Sequence, residues 1–154
     1  MCCLEETPST LQDENEIVRF QWSTPSEILK SYQEQKLWIA SPQFYELSRM
    51  SRFPSLNDLH NFTYHRATEG CQQWTPVVVQ KDEHHISLLP GDELYPVDSS
   101  GLSQREDCQD GSGLHRMVFS GSYSITLQIT IKPKYNHLLP VVEPVVSHHS
   151  KGHL

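Results

Sequence analysis

Two close pairs of acidic residues, Glu14 with Glu16 and Asp92 with Glu93, are the first places in the chain where chemistry could be done. Neighbouring carboxylates concentrate negative charge for a hard cation or supply a general base. Neither pair suffices by itself, because Mg²⁺ keeps its waters and asks for near-octahedral oxygen partners that one or two side chains do not provide. Both pairs also have plain readings: Glu14 and Glu16 as a solvated acidic turn, and Pro90-Gly91-Asp92 as ordinary turn chemistry. His84-His85, and His148-His149 with His153, could be taken for metal ligands. Adjacent histidines on a strand point to opposite faces, however, and the tail offers them no carboxylate or thiol companion. Cys2, Cys3, Cys71 and Cys108 have no C-x-x-C spacing and read as reduced thiols. There is no Gly-x-Ser-x-Gly elbow to present a nucleophile. Gly111-Ser112-Gly113 lacks the lysine and the following helix of a phosphate loop.

The elements that would position these groups follow from periodicity and capping. Glu16 to Trp22 alternates like a half-buried strand, with Val18, Phe20 and Trp22 on one face. Thr24-Pro25-Ser26-Glu27 then carries a cap, a proline suited to the first helical turn and a capping-box glutamate, which predicts a helix to about Lys36 with Ile28, Leu29 and Tyr32 on its apolar face. A second helix is expected from Ser41 until Pro54, with Phe44, Leu47 and Met50 as its stripe. A third begins at Ser55, with Leu56, Leu59 and Phe62 recurring three apart and Gly70 as its stop. Three helices with short joints suggest an antiparallel cluster. Thr75 to Gln80 and His85 to Leu89 read as one hairpin about Lys81-Asp82-Glu83. Leu114 to Ser120 and Tyr123 to Lys132 read as another about Gly121-Ser122, with Ile125, Leu127, Ile129 and Ile131 on one face. Between the hairpins, residues 98 to 113 are a Ser/Gly/Asp-rich loop expected to be mobile. The class is α+β.

A hydrophobic share of 36% and ten prolines in 154 residues predict a modest core, long connections and some apolar surface that needs a partner. A net charge of −7 with no basic stripe argues against nucleic acid as a partner, since phosphate neutralisation needs clustered Lys and Arg. No run approaches the roughly 20 apolar residues of a membrane span. The first residues have neither the basic start nor the apolar centre of a signal peptide, so the chain is expected to be soluble and intracellular. That expectation disarms Asn61-Phe62-Thr63 as a glycosylation site.

Several longer stretches go beyond composition. Gln21-Trp22-Ser23-Thr24-Pro25-Ser26-Glu27, Pro42-Gln43-Phe44-Tyr45-Glu46-Leu47, Ser55-Leu56-Asn57-Asp58-Leu59-His60 and Leu88-Leu89-Pro90-Gly91-Asp92-Glu93-Leu94-Tyr95 occur in this order. Together with Cys2-Cys3-Leu4 and Pro133-Lys134-Tyr135-Asn136-His137 they resemble the peroxisomal acyl-coenzyme A diphosphatases of the Nudix superfamily, over about residues 1 to 140. The resemblance implies an incomplete Nudix α/β/α sandwich, of which residues 1–36 supply the closing strand and helix. Residues 37–140 would be a family-specific extension of helices and hairpins, and 141–154 a flexible tail. It also implies a family that cleaves the diphosphate of coenzyme A or acyl-CoA into phosphopantetheine and an adenosine bisphosphate with Mg²⁺ or Mn²⁺, the metal clamping the diphosphate oxygens.

That chemistry depends on the Nudix box, G-x5-E-x7-R-E-U-x-E-E-x-G-U with U a bulky aliphatic residue, and the box is not found here. Arg105-Glu106 is followed by Asp107-Cys108-Gln109-Asp110 where U-x-E-E is required, and Val97 stands at the upstream glutamate position. Glu5-Glu6 lies too near Met1 to have the box before it. The expectation is a C-terminal part of such an enzyme, inactive alone and with no catalytic residue or stably bound metal of its own. The alternative is a noncatalytic acyl-CoA-binding or interaction module. Within the resemblance, Glu16 is the one candidate for an auxiliary metal carboxylate. Gly152-His153-Leu154 is comparable with the Ser-Lys-Leu peroxisomal address and would meet an import receptor, with Gly152 departing from the pattern. Cytoplasm or mitochondrion are the other expected locations.

Overall fold

The computed structural model describes residues 4–13, 15, 20–81, 84–96 and 113–141. In chain order it contains α1 (Pro25–Gln33), α2 (Ser41–Met50), α3 (Leu56–Arg66), β1 (Val77–Lys81), β2 (His84–Leu88), β3 (His115–Phe119) and β4 (Ile125–Ile129). The strands form one antiparallel sheet in the order β1-β2-β3-β4. The α+β class and both hairpins are as expected. The strand expected up to Trp22 is not present in its described part: Phe20, Gln21 and Trp22 lie outside any element, with Phe20 and Trp22 exposed. Residues 16–19 lie outside the described residues, as does most of the Ser/Gly/Asp-rich loop expected to be mobile.

Helix α1 starts as its sequence dictates. Thr24 Oγ1 accepts the Glu27 N–H at 3.3 Å and the Glu27 carboxylate accepts the Thr24 N–H at 2.9 Å, closing the capping box. These bonds, the backbone one foremost, hold the Glu27 carboxyl below its ordinary range. The helix ends at Gln33, earlier than the apolar pattern suggests. Gln35 adopts φ 58°, and the Lys36 and Gln35 N–H groups bond back to the carbonyls of Ser31 and Tyr32. That is a Schellman stop with glutamine in the place usually taken by glycine, so no residue type announced it. Helix α3 is capped by Ser55, whose hydroxyl accepts the Asp58 N–H at 3.1 Å. It ends at Arg66 rather than at Gly70, and Gly70 serves a different purpose described below.

Opposite residues on paired strands share a face. The register Met117↔Leu127, Phe119↔Ile125 and His115↔Ile129 places all six on one side of the sheet. There Met117 and Leu127 join Tyr45 and Leu89 in the buried core, flanked by Phe44, Trp74, Phe119, Ile125 and Ile129. The expected β4 face is therefore correct for Ile125, Leu127 and Ile129, while Ile131 lies beyond the end of the strand; the α2 stripe is shifted, since Tyr45, not Phe44, Leu47 or Met50, is the fully buried residue of that helix. Tyr32 of α1 is buried as expected and donates its hydroxyl to the Ser122 carbonyl at 3.2 Å, with its ring between Phe44 and Tyr123. Thus α1 and α2 pack together over the β3–β4 hairpin. Helix α3 does not complete a three-helix cluster; it has no buried residue, and Leu56 is exposed. It is tied to the end of the described chain instead, through Arg66 Nε donating to the Tyr135 carbonyl at 3.1 Å.

After β2 the chain reverses at Leu89-Pro90-Gly91-Asp92, the Asp92 N–H bonding to the Leu89 carbonyl at 3.1 Å. Gly91 has φ +94°, and a Cβ there would lie 3.2 Å from Ile131 Cδ1. Gly91→Ala is expected to cost about 1–2 kcal/mol of unfolding free energy for the left-handed backbone alone. Urea unfolding would measure it, and an unchanged midpoint would show that the turn relaxes without strain.

Candidate functional site: a basic aromatic cleft held by a buried ion pair

The reversal at Gly91 delivers Asp92 into the interior, with its side chain wholly buried. Its Oδ2 accepts from Arg116 Nε at 2.6 Å and from the His115 N–H at 2.9 Å. Its Oδ1 accepts from Arg116 Nη2 at 2.6 Å and from the Leu94 N–H at 2.9 Å. Burial pushes this carboxyl up, but the Arg116 guanidinium and the two backbone donors outweigh it and hold the group below the usual carboxylate range. Glu93 adds a third oxygen to Arg116 at 3.1 Å. The Asp92-Glu93 pair is the turn that the sequence suggests, and its carboxylates are spent on fixing β3 to that turn.

One residue before Arg116, His115 is completely buried. Its Nδ1 lies 2.8 Å from the Pro90 carbonyl, which can only accept, so Nδ1 carries the proton. Nε2 is then the lone-pair nitrogen and accepts the Tyr45 hydroxyl at 3.2 Å. Burial holds His115 below its ordinary value against the opposing pull of the Pro90 carbonyl and Asp92. The same desolvation pushes the Tyr45 phenol up. Trp74 packs edge-on against both rings, with centroids at 4.9 Å from His115 and 5.4 Å from Tyr45, and His137 sits 4.5 Å from Trp74.

Trp74, His115 and His137 of this ring cluster line a cleft of about 320 Å³. Its walls come from α2 with Glu46 and Arg49, from the end of α3 with Arg66, and from the segment after β4 with Lys132, Lys134 and Tyr135. Four cationic side chains thus face one carboxylate, and that carboxylate already receives Arg49 Nη1 at 3.0 and 3.1 Å. The potential inside is positive. His137 is pushed down to about 3, by burial first and then by the charges of Arg49 and Arg66. Its Nε2 is shielded from solvent and has no hydrogen-bond partner among the described residues.

A tight turn closes one side. The His137 N–H bonds to the Lys134 carbonyl at 2.9 Å, and the two central residues, Tyr135 and Asn136, take φ 51° and 50° without being glycine. That is a type I′ turn. It is held from α3 by Arg66 and by Asn136 Nδ2 donating to Glu69 Oε1 at 3.0 Å. Gly70 admits the Tyr135 ring, since a Cβ there would lie 2.6 Å from Tyr135 Cε1.

Two parts of the chain match known family models. A family model described as the NUDT19 Nudix domain matches residues 1–50, and one described as the NUDT19 C-terminal domain matches residues 78–130. The chain belongs to the NUDT19 family. Proteins named acyl-coenzyme A diphosphatase NUDT19 are 42% identical over 92% of this chain in Gallus gallus, 41% over 92% in Xenopus laevis and 38% over 91% in Homo sapiens. The chain spans about 40% of the length of each of these relatives. No solved structure matches it. The core joins the two matched regions, with Tyr45 of the Nudix-matched part bonded to His115 of the C-terminal part.

Nudix hydrolases generally use divalent metals, but the described residues do not fit one. No group of three His, Cys, Asp or Glu side chains comes together among them to hold an ion. All four acceptor positions of Asp92 are already filled, as its bonds show. His84 and His85 are both exposed on β2, His84 beside Ser120 Oγ at 3.3 Å. Glu14 and Glu16, the candidate auxiliary carboxylate, lie outside the described residues, as do His148, His149 and the address residues Gly152, His153 and Leu154. Cys71 is exposed and unbridged. Among the described residues no helix is long and apolar enough to cross a membrane.

No motif or spacing marks Tyr45, Trp74, His115, Arg116 or His137 as functional. One signal was available for Arg116: a charged residue inside the apolar run Leu114 to Phe119 must find a buried counter-charge. Asp92 could not be chosen as that counter-charge without knowing that β3 pairs with β2.

Proposed function

We propose that this chain is the C-terminal part of an acyl-coenzyme A diphosphatase. In the complete enzyme, a Nudix box outside this sequence supplies the carboxylates for Mg²⁺ or Mn²⁺, and coenzyme A or acyl-CoA is cleaved into phosphopantetheine and adenosine bisphosphate. The observation that carries this reading is the match of both the Nudix and the C-terminal family models in the proper order, at 38–42% identity to proteins of that name. The exposed Phe20, Trp22 and Trp38 support it, since they lie in the Nudix-matched region and would be covered by the rest of that domain. In this reading the chain has no turnover alone, Glu16 serves at most as an auxiliary carboxylate, and Gly152-His153-Leu154 acts as a peroxisomal address read by an import receptor. The second reading is a noncatalytic acyl-CoA-binding module, favoured by a cleft whose lining is wholly contained in this chain.

The test is coenzyme A hydrolysis with Mg²⁺ and Mn²⁺, comparing the 154-residue chain with a version extended upstream through a Nudix box. Turnover by the extended protein alone is the expected result. Turnover by the short chain would overturn the division of labour, and an inactive extended protein would leave the binding module.

A further inference from the structure

We infer that the cleft between α2, the end of α3 and the 131–139 segment binds a phosphorylated nucleoside, and that in the proposed enzyme it receives the adenosine-phosphate end of coenzyme A. This assignment rests on the diphosphatase reading for the name of the ligand but on the cleft itself for its chemistry. A volume of about 320 Å³ lies at the small end of ligand sites, which suits one nucleotide rather than a whole coenzyme A. Arg49, Arg66 and Lys132 bring positive charge from three separate elements, and Lys132 has no ion-pair partner among the described residues. Charge of that sign suits a phosphate ester and neither the neutral pantetheine arm nor a fatty acyl chain. Trp74 and Tyr135 supply aromatic surface on which a base can stack.

Two further features point to a ligand. A buried nitrogen without a partner is costly, and His137 Nε2 is such an atom in the lining. A ribose hydroxyl or an exocyclic amine of a base would satisfy it. The left-handed backbone at Tyr135 and Asn136 persists because Arg66, Glu69 and Gly70 over-determine it, and strain held in this way clusters at ligand clamps. Burial first, and then the charges of Arg49 and Arg66, keep His137 neutral; bound phosphate would offset the second of these, so its imidazole should report occupancy.

The probes are adenosine 3′,5′-bisphosphate, phosphopantetheine and inorganic phosphate, titrated into the 154-residue chain by calorimetry and by NMR of the histidine rings. The bisphosphate is expected to bind saturably and to shift the His137 resonances, with the other two binding at least about tenfold more weakly. Lys132→Glu, an exposed position, should weaken bisphosphate binding by about tenfold or more, while Lys30→Ala on the far exposed side of α1 should not. Absence of bisphosphate binding, a preference for phosphopantetheine, or indifference to Lys132→Glu would each overturn the inference. In the extended protein, Lys132→Glu should raise KM for coenzyme A with little change in kcat. An active extended enzyme whose KM ignores Lys132→Glu sinks this site and leaves the diphosphatase reading intact. An inactive extended protein whose C-terminal part still binds the bisphosphate does the reverse.

Discussion

Arg116→Ala is expected to lower the unfolding free energy by about 3–5 kcal/mol, the cost of leaving the buried Asp92 carboxylate without its counter-charge. For a domain of this size that is a large fraction of the roughly 5–15 kcal/mol that holds a native fold together. The effect should exceed that of Arg49→Ala, since Arg49 pairs with a half-exposed Glu46, and such pairs contribute about 0–1 kcal/mol. The double variant Asp92→Ala with Arg116→Ala should lose less than the sum of the singles, because the unpaired charge is gone. It should not return to the parent value, since the His115 and Leu94 N–H groups then lose their acceptor. Urea unfolding of the four proteins gives the coupling directly. A loss below about 1 kcal/mol for Arg116→Ala would mean that the pair is hydrated and not part of the interior.

Acid is expected to destabilise the fold well above the pH at which carboxylates titrate. His137 is held at about 3, below the ordinary 6.5, by burial and by Arg49 and Arg66; His115 is also held low by burial. In both cases the folded state refuses a proton that the unfolded chain accepts. Stability is therefore full above pH 6.5 and falls as pH drops through the window between the unfolded value and the folded one. Each histidine contributes a slope of up to about 1.4 kcal/mol per pH unit inside its window. Asp92 acts in the same direction at lower pH, since its folded value lies below 3.8 and its contribution is lost as pH falls through that region. Urea midpoints at pH 7, 6, 5 and 4 would show the decline, and His137→Gln should flatten part of it. A midpoint constant from pH 7 to 5 would show that neither histidine is shielded. Added adenosine bisphosphate should raise the midpoint at pH 7 if the cleft binds it, because a ligand that binds only the folded state stabilises that state.

Both expectations depend on groups that the sequence displays and does not connect. The capping box at Thr24, the helix starts at Ser41 and Ser55, the two hairpins and the apolar face of β4 follow from rules that act within a few residues. Those rules made them legible. The end of α1 was not, because a glutamine took the left-handed position that glycine usually marks, and the α2 stripe was misplaced because an amphipathic pattern leaves open which of two adjacent aromatics turns inward.

By itself the sequence determined the family, the α+β class and the absence of a Nudix box from these residues, since each is a matter of residue order. The tertiary structure decided the site. Asp92 and Arg116 are 24 positions apart, Tyr45 and His115 are 70, and Arg66 and Tyr135 are 69. No local propensity encodes such pairings. They exist because α2 packs on the buried face of the sheet, because Gly91 turns the chain into the interior, and because Gly70 lets the Tyr135 ring against α3. Together these place the charges around one cleft.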